Sequence, residues 1–303
     1  MILRNKYRDL TWIDVERPTH EEIRTLMDEY DIHPIVADEL LTPSLRPKVD
    51  HYENFIYLIL HFPALRHSHS NATQEVDFII GKQFIITVRY ELLDPLHKFS
   101  KVFEVNSILD KSDIGEHAGF LFFYMIRKIY SSLQHELSII GESLKDVEDR
   151  IFSGEERAMV KTLSNIHRDL LGFHRALRLH KPVLISLGVA CEEFFGRDFR
   201  HYTDNIVGEY YKVEELLEDQ RDMLGDLRVT NDSLLTTKTN EIIKVLTAMT
   251  ALLLPATMIA QVFSIPSKST PITELPHGFY IILAFMLSVA FFAFLFFRRR
   301  NWL

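Results

Sequence analysis

The sequence holds one cysteine, Cys191, among 303 residues. That excludes an intrachain disulfide and a thiolate metal cluster, and it suits a reducing compartment. There is no P-loop, no Gly-rich dinucleotide fingerprint, no His-Glu-x-x-His and no nucleophile elbow. The common nucleotide-binding, zinc-protease and hydrolase chemistries therefore lack their residues, and no enzyme is expected. Net positive charge is lacking too: the formal charge is −8, which argues against nucleic acid as a partner. The N-terminus, Met1-Ile2-Leu3-Arg4-Asn5-Lys6, has no apolar core of signal-peptide length. No proline occurs between Pro182 and Pro255, and no charge at all in the nineteen residues 279–297.

That last absence is the most telling. A bilayer core takes about 20 apolar residues of helix. Residues 279–297 meet this, and so do residues 245–265 just before them. The pair predicts a two-span hairpin with a loop over 266–278. Lys238 and Lys244 precede the first span and Arg298, Arg299 and Arg300 follow the second, against Lys268 alone in the loop. The positive-inside rule then puts both termini in the cytoplasm and the loop outside, in a multi-pass protein of the inner (plasma) membrane.

The residues before the hairpin read as an α+β portion followed by long helices. Residues 10–15, 54–61, 74–80 and 83–89 are β-rich apolar runs, the last two joined at Gly81-Lys82 as a hairpin. Thr19 with Glu22 is a capping box that opens a helix. From about Ile114 the apolar residues recur at helical spacing, with breaks at Ser153-Gly154, near Lys181-Pro182 and at Gly196-Arg197-Asp198. A helix from near Tyr202 to near Ser264 would then be about 95 Å long at ~1.5 Å per residue. The expected domains are an α/β domain over 1–112, a helical bundle and stalk over 113–239, and a membrane domain over 240–303.

The first span is not uniformly apolar. Thr247, Thr250, Thr257, Gln261 and Ser264 are spaced 3, 7, 4 and 3 apart, within an arc of about 100° on a helix. Asn240 and Ile243 extend this face, and Leu254 fills its longest gap. Such a stripe faces protein or water rather than lipid. It has two readings: interhelical hydrogen bonding, or the wall of a pore. One two-span subunit cannot enclose a pore, so the second reading implies a homo-oligomer with the first span innermost. The second span, with five Phe after Ala290, would then face lipid.

Several segments carry a resemblance. Asn240-Glu241-Ile242-Ile243-Lys244-Val245-Leu246-Thr247, Leu254-Pro255-Ala256-Thr257-Met258-Ile259-Ala260 and the ending Arg298-Arg299-Arg300-Asn301-Trp302-Leu303 resemble, in order and spacing, the CorA family of divalent-cation transporters. Arg46-Pro47-Lys48-Val49-Asp50-His51-Tyr52 and Phe84-Ile85-Ile86-Thr87-Val88-Arg89 are similar to segments of its N-terminal domain. The resemblance spans essentially the whole chain. It implies a membrane homopentamer with an α+β cytoplasmic domain, a helical stalk and two spans, moving Mg²⁺ or a related cation and needing no cofactor. Asn240, Ile243, Leu246, Thr250, Leu254 and Thr257 become successive pore rings. Leu254, with Leu246 and Ile243, becomes the apolar constriction. Arg298, Arg299 and Arg300 become a basic ring at the cytoplasmic mouth.

The chain also departs from that family. Counting from Asn240, its Gly-Met-Asn signature falls on Ser264, Ile265 and Pro266, which supply no carboxamide, and a preceding glycine is replaced by Gln261. Glu274 is the one acid of the outer loop. Altered selectivity is implied; the alternative is a non-conducting or regulatory protein that keeps the pentameric scaffold. The stalk is acidic: nine acids and three bases lie between His201 and Asp232. This is either a solvated helix face or, by resemblance, a place where regulatory divalent cation bridges carboxylates of neighbouring subunits. Asn205 stands at the family's sensing aspartate, with Asp204 beside it and Glu209 one turn on. His67 and His69 are too few for a metal site of their own.

Overall fold

The computed structural model describes residues 2–7, 9–63, 73–90, 96, 117–264 and 277–299. It divides into two compact units, Met1–Arg228 and Val229–Leu303. The boundary expected at 112/113 falls outside the described residues.

The first unit opens with six strands, β1 (Ile2–Tyr7), β2 (Leu10–Glu16), β3 (Lys48–His51), β4 (Phe55–Phe62), β5 (Gln74–Gly81) and β6 (Phe84–Arg89). They form one sheet in the order β1-β2-β6-β5-β4-β3. Only β2 and β6 run parallel, with Trp12 opposite Ile85 and Asp14 opposite Thr87. The sequence reading found β2, β4, β5 and β6 and left out the short edge strands β1 and β3. The β5–β6 turn sits one residue later than expected, at Lys82-Gln83, because Ile80 pairs with Ile85 while Gly81 still pairs with Phe55 of β4.

Both faces of the sheet are covered, which is why β4 is a near-continuous apolar run and β5, despite Gln74, Glu75 and Asp77, is buried along its whole length. Helices α1 (His20–Tyr30) and α2 (Pro34–Glu39) cover one face, where Leu26, Val36 and Leu40 pack on Ile13, Tyr57, Ile79 and Ile86. The capping box of α1 is formed: Thr19 accepts from the Glu22 backbone, and Glu22 accepts from the Thr19 N–H at 3.0 Å. Helix α3 (Ala118–Phe152) meets the other face, with Phe122 edge-on to Phe78 at 5.4 Å.

Gly154, at φ 99°, ends α3 and allows the reversal into α4 (Glu156–Leu177). Helix α5 (His180–Phe195) starts so that Pro182 lies in its first turn, where a missing N–H costs no helical bond. His180 is fully buried and joins sheet to helices: its Nε2 donates to the His61 carbonyl at 2.7 Å and its Nδ1 accepts from the Tyr130 hydroxyl at 2.8 Å. Gly196, at φ 97°, and a 3₁₀ turn at Arg197–Phe199 lead into α6 (Arg200–Ser264), 65 residues long. Its N-terminal part belongs to the first unit, where Ile206, Tyr210, Val213, Leu217, Leu224 and Leu227 are buried. Its remainder and α7 (Gly278–Arg299) make up the described part of the second unit.

Candidate ion-conduction path

The end of α6 and the whole of α7 are long and apolar enough to cross a membrane, and almost nothing in the protomer covers them. An apolar helix left bare all round is suited to hydrocarbon. Within α6 the covering is uneven. Ala248 is buried, and Ala251, Leu252, Pro255, Ala256, Ile259 and Phe263 are half-buried. These positions share one face by their spacing of three and four. On α7, Ile282, Met286, Val289, Ala293 and Phe297 form a matching half-buried line. The two helices share a cavity of about 400 Å³ between Ala260, Phe263 and Ser264 on one side and Phe279, Ile282 and Met286 on the other.

The polar stripe lies on the other side of the helix, about 170° around from the half-buried face. Asn240, Ile243, Leu246, Thr247, Thr250, Leu254, Thr257, Gln261 and Ser264 are all exposed. Ser264 is at the edge of the stripe and also lines the cavity against α7. The Thr250 hydroxyl donates to the Leu246 carbonyl and the Thr257 hydroxyl to the Leu254 carbonyl, each at 2.9 Å. These bonds spend the hydroxyl hydrogens inside the helix and leave oxygen lone pairs outward. Gln261 offers a whole carboxamide, with no hydrogen bond among the described residues. The stripe thus presents acceptors, interrupted by three large apolar side chains: Ile243 at 54%, Leu246 at 63% and Leu254 at 52% exposure. Pro255 interrupts the same helix, on the half-buried side, so its missing N–H leaves the Ala251 carbonyl without a helical donor.

Arg298 and Arg299 end α7, exposed, where cations favour the helix dipole. Ile265, Pro266, Glu274, Arg300 and the pair His67 and His69 lie outside the described residues. In the first unit, the three stalk candidates do not converge. Asp204 is exposed, 4.0 Å from Arg200. Asn205 is exposed as well. Glu209 accepts from Gln134 at 3.1 Å and from Lys212 at 2.9 Å. Burial works against the charge of Glu209, but those two hydrogen bonds outweigh it and hold its pKa below the ordinary value. Among the described residues no three His, Cys, Asp or Glu side chains gather to hold a metal.

The family model described as "CorA-like Mg2+ transporter protein" matches residues 7–299. The chain belongs to this CorA-like family. The Cobalt/magnesium transport protein CorA of Thermotoga maritima is 22% identical over 97% of this chain and 83% of its own length. The Divalent cation transporter CmaX of Pseudomonas aeruginosa is 21% identical over 96% of this chain and 87% of its own. Among solved structures, the complete CorA magnesium transporter from Methanocaldococcus jannaschii superposes with a TM-score of 0.85 at 20% identity, covering 100% of this chain and 98% of that one. Full-length CmaX superposes at 0.75 with 20% identity, over 97% and 89%. The fold is therefore that of the full-length CorA-like structures: α/β domain, long helix and two apolar C-terminal helices.

The residues that sequence reasoning assigned to a pore wall are exposed in the protomer, as are Val245, Met249, Leu253, Met258 and Val262 of the same span. What that reasoning missed is how the Thr250 and Thr257 hydroxyls are oriented. That follows from a general rule, since a threonine in an apolar helix finds its acceptor one turn back.

Proposed function

We propose that the chain assembles as a homopentamer in the inner (plasma) membrane, with both termini cytoplasmic, and passes divalent metal cations through a pore lined by α6. One observation carries this: the polar face of α6 is bare in the protomer and lies opposite the half-buried face of the same helix. In hydrocarbon such groups need partners or water. Symmetry-related copies turned inward give them both, and α7 then faces lipid. The transport of cobalt, magnesium and other divalent cations named for the Thermotoga protein and for CmaX supports divalent cations as the cargo class. The cation is cargo, no cofactor is required, and the role is transport rather than catalysis.

Along this path, rings of Thr257 and Thr250 oxygen offer a hydrated ion weak, replaceable contacts. Leu254, Leu246 and Ile243 form apolar rings that stop ions by excluding water. Movement is passive, driven by the membrane potential, worth roughly 2.3 kcal/mol per charge per 100 mV. Selectivity differs from that of relatives bearing Gly-Met-Asn, because Ser264, Ile265 and Pro266 hold no carboxamide.

That same substitution favours a second reading, a non-conducting or regulatory protein that keeps the scaffold. Ion flux into proteoliposomes against a panel of Mg²⁺, Co²⁺, Ni²⁺ and Zn²⁺ separates the two. Saturable flux of any of these supports the channel. None, from protein that is pentameric by native mass spectrometry, sinks it and leaves the scaffold reading.

A further inference from the structure

Within the first unit, α4 and α6 enclose a groove of about 350 Å³. His167 of α4 and Glu218, Arg221, Asp222, Gly225 and Arg228 of α6 line it. Its size is at the low end of small-ligand sites, roughly 300–1,000 Å³. Gly225 keeps it open: a Cβ built there meets nothing within 4 Å.

Some surface cations on the helices close onto acids: Lys212 onto Glu209 at 2.9 Å, Arg150 onto Glu155 at 2.6 Å and Arg200 onto Glu192 at 2.9 Å. Among the described residues neither Arg221 nor Arg228 makes an ion pair, although two carboxylates share their groove. Arg221 instead points its Nη1 at His174 Nδ1, 3.3 Å away. Both imidazoles along this seam are held below their ordinary pKa. For His167 the causes are partial burial, then Arg228 and Arg221. For His174 they are partial burial, then Arg221 and Arg178. Glu218 and Asp222, four apart on one helical turn, are equally without a cation, an arrangement that costs stability.

A simple anion entering here meets two carboxylates, and a bare dication meets two guanidiniums. A ligand carrying both signs satisfies all four groups at once. We infer that the groove binds the divalent-cation chelate of a di- or polyphosphate. Arg221 and Arg228 take the phosphate oxygens, for which the planar guanidinium fork is suited. Glu218 and Asp222 face the metal, whose retained waters they accept hydrogen bonds from. His167 adds a neutral N–H donor. The site lies within the first unit and reads complexed cation rather than free cation.

The test is calorimetric titration of the full-length protein in detergent with magnesium pyrophosphate, with Mg²⁺ alone as the blank. Saturable binding is expected. The double variant Arg221→Gln/Arg228→Gln weakens it at least tenfold. Glu218→Gln/Asp222→Asn removes its dependence on Mg²⁺. Gly225→Leu fills the groove without changing charge and weakens binding as well; circular dichroism and gel filtration check that each variant is folded and assembled. Magnesium ADP sorts the source of the phosphate: tighter binding than pyrophosphate indicates a nucleotide, equal binding the diphosphate alone, and both uphold the site. No binding by the wild type, or binding that the arginine variants leave unchanged, overturns it. Equal affinity for pyrophosphate in EDTA overturns the chelate.

Discussion

Leu254 sits between two threonines of the polar face and is half exposed in the protomer. Its side chain offers an ion nothing, so in the proposed pentamer a ring of five would exclude water and with it charge. Leu254→Ser should raise basal cation flux several-fold in proteoliposomes; unchanged flux from a variant that still assembles would remove this ring as the gate. His180 makes a prediction of a different kind. Burial pushes its pKa down to about 4, so it stays neutral in the folded protein while the unfolded chain takes up a proton below roughly 6.5. Stability is then fully present above that value and falls as pH drops through the window, by on the order of 3 kcal/mol in all. Thermal unfolding at pH 7 and pH 5 should show a loss in wild type that is smaller in His180→Gln. The difference between the two proteins isolates this residue, since the other titrating groups are common to both. An equal loss in the variant would assign the pH dependence elsewhere.

At the scale of the element, α6 carries two patterns in one helix. Up to Leu227 its buried residues follow the spacing of three and four that packs against α3 and α4; past Val245 the same periodicity separates a polar face from a half-covered one. This makes the orientation of the first span testable by cysteine scanning. The native Cys191 is buried, and burial pushes its thiol up to about 12, so it leaves a quiet background. Single cysteines at Thr250, Thr257 and Gln261 should cross-link between subunits, while those at Ala251, Pro255 and Ile259 should not. The reverse pattern would turn the helix around. Helix boundaries of this kind were legible in the sequence because caps and breakers write them locally: Thr19 with Glu22, Gly154 and Gly196 each sat where expected. Strands β1 and β3 were not. They are short sheet edges, β1 half exposed and β3 only four residues long, and their place is set by pairing with β2 and β4 rather than by their own pattern. Helix α2 escaped for a similar reason. At six residues it is too short to show a period, and its N-cap is His33, whose Nδ1 accepts from the Ile35 N–H at 3.3 Å, an unusual capping residue.

The whole molecule joins a scaffold that matches a full-length CorA structure end to end to a span that ends in Ser264, followed by Ile265 and Pro266, where the resemblance implies Gly-Met-Asn. Fold and ion choice therefore rest on different parts of the chain. The scaffold depends on apolar packing spread over the whole chain and is kept at identity near 20%. On the proposed reading, ion choice depends on a few polar atoms at one ring of the pore. With Ser264, Ile265 and Pro266 there, a hydrated cation meets a hydroxyl in place of a carboxamide, and proline offers neither a side-chain acceptor nor an N–H. Flux should accordingly show little preference for Mg²⁺ over Co²⁺, Ni²⁺ or Zn²⁺ and be little inhibited by cobalt(III) hexammine, a stable mimic of a hydrated ion. The triple change Ser264→Gly, Ile265→Met and Pro266→Asn restores the family's groups on an otherwise intact pore. It should restore both Mg²⁺ preference and block by the mimic, read in the same proteoliposomes as the wild type. Strong Mg²⁺ selectivity and block in the unchanged protein would show instead that another polar ring had taken over the role. Gln261 is then the first group to replace, because it brings a carboxamide where the family has glycine and lies one turn along the same exposed face from Thr257.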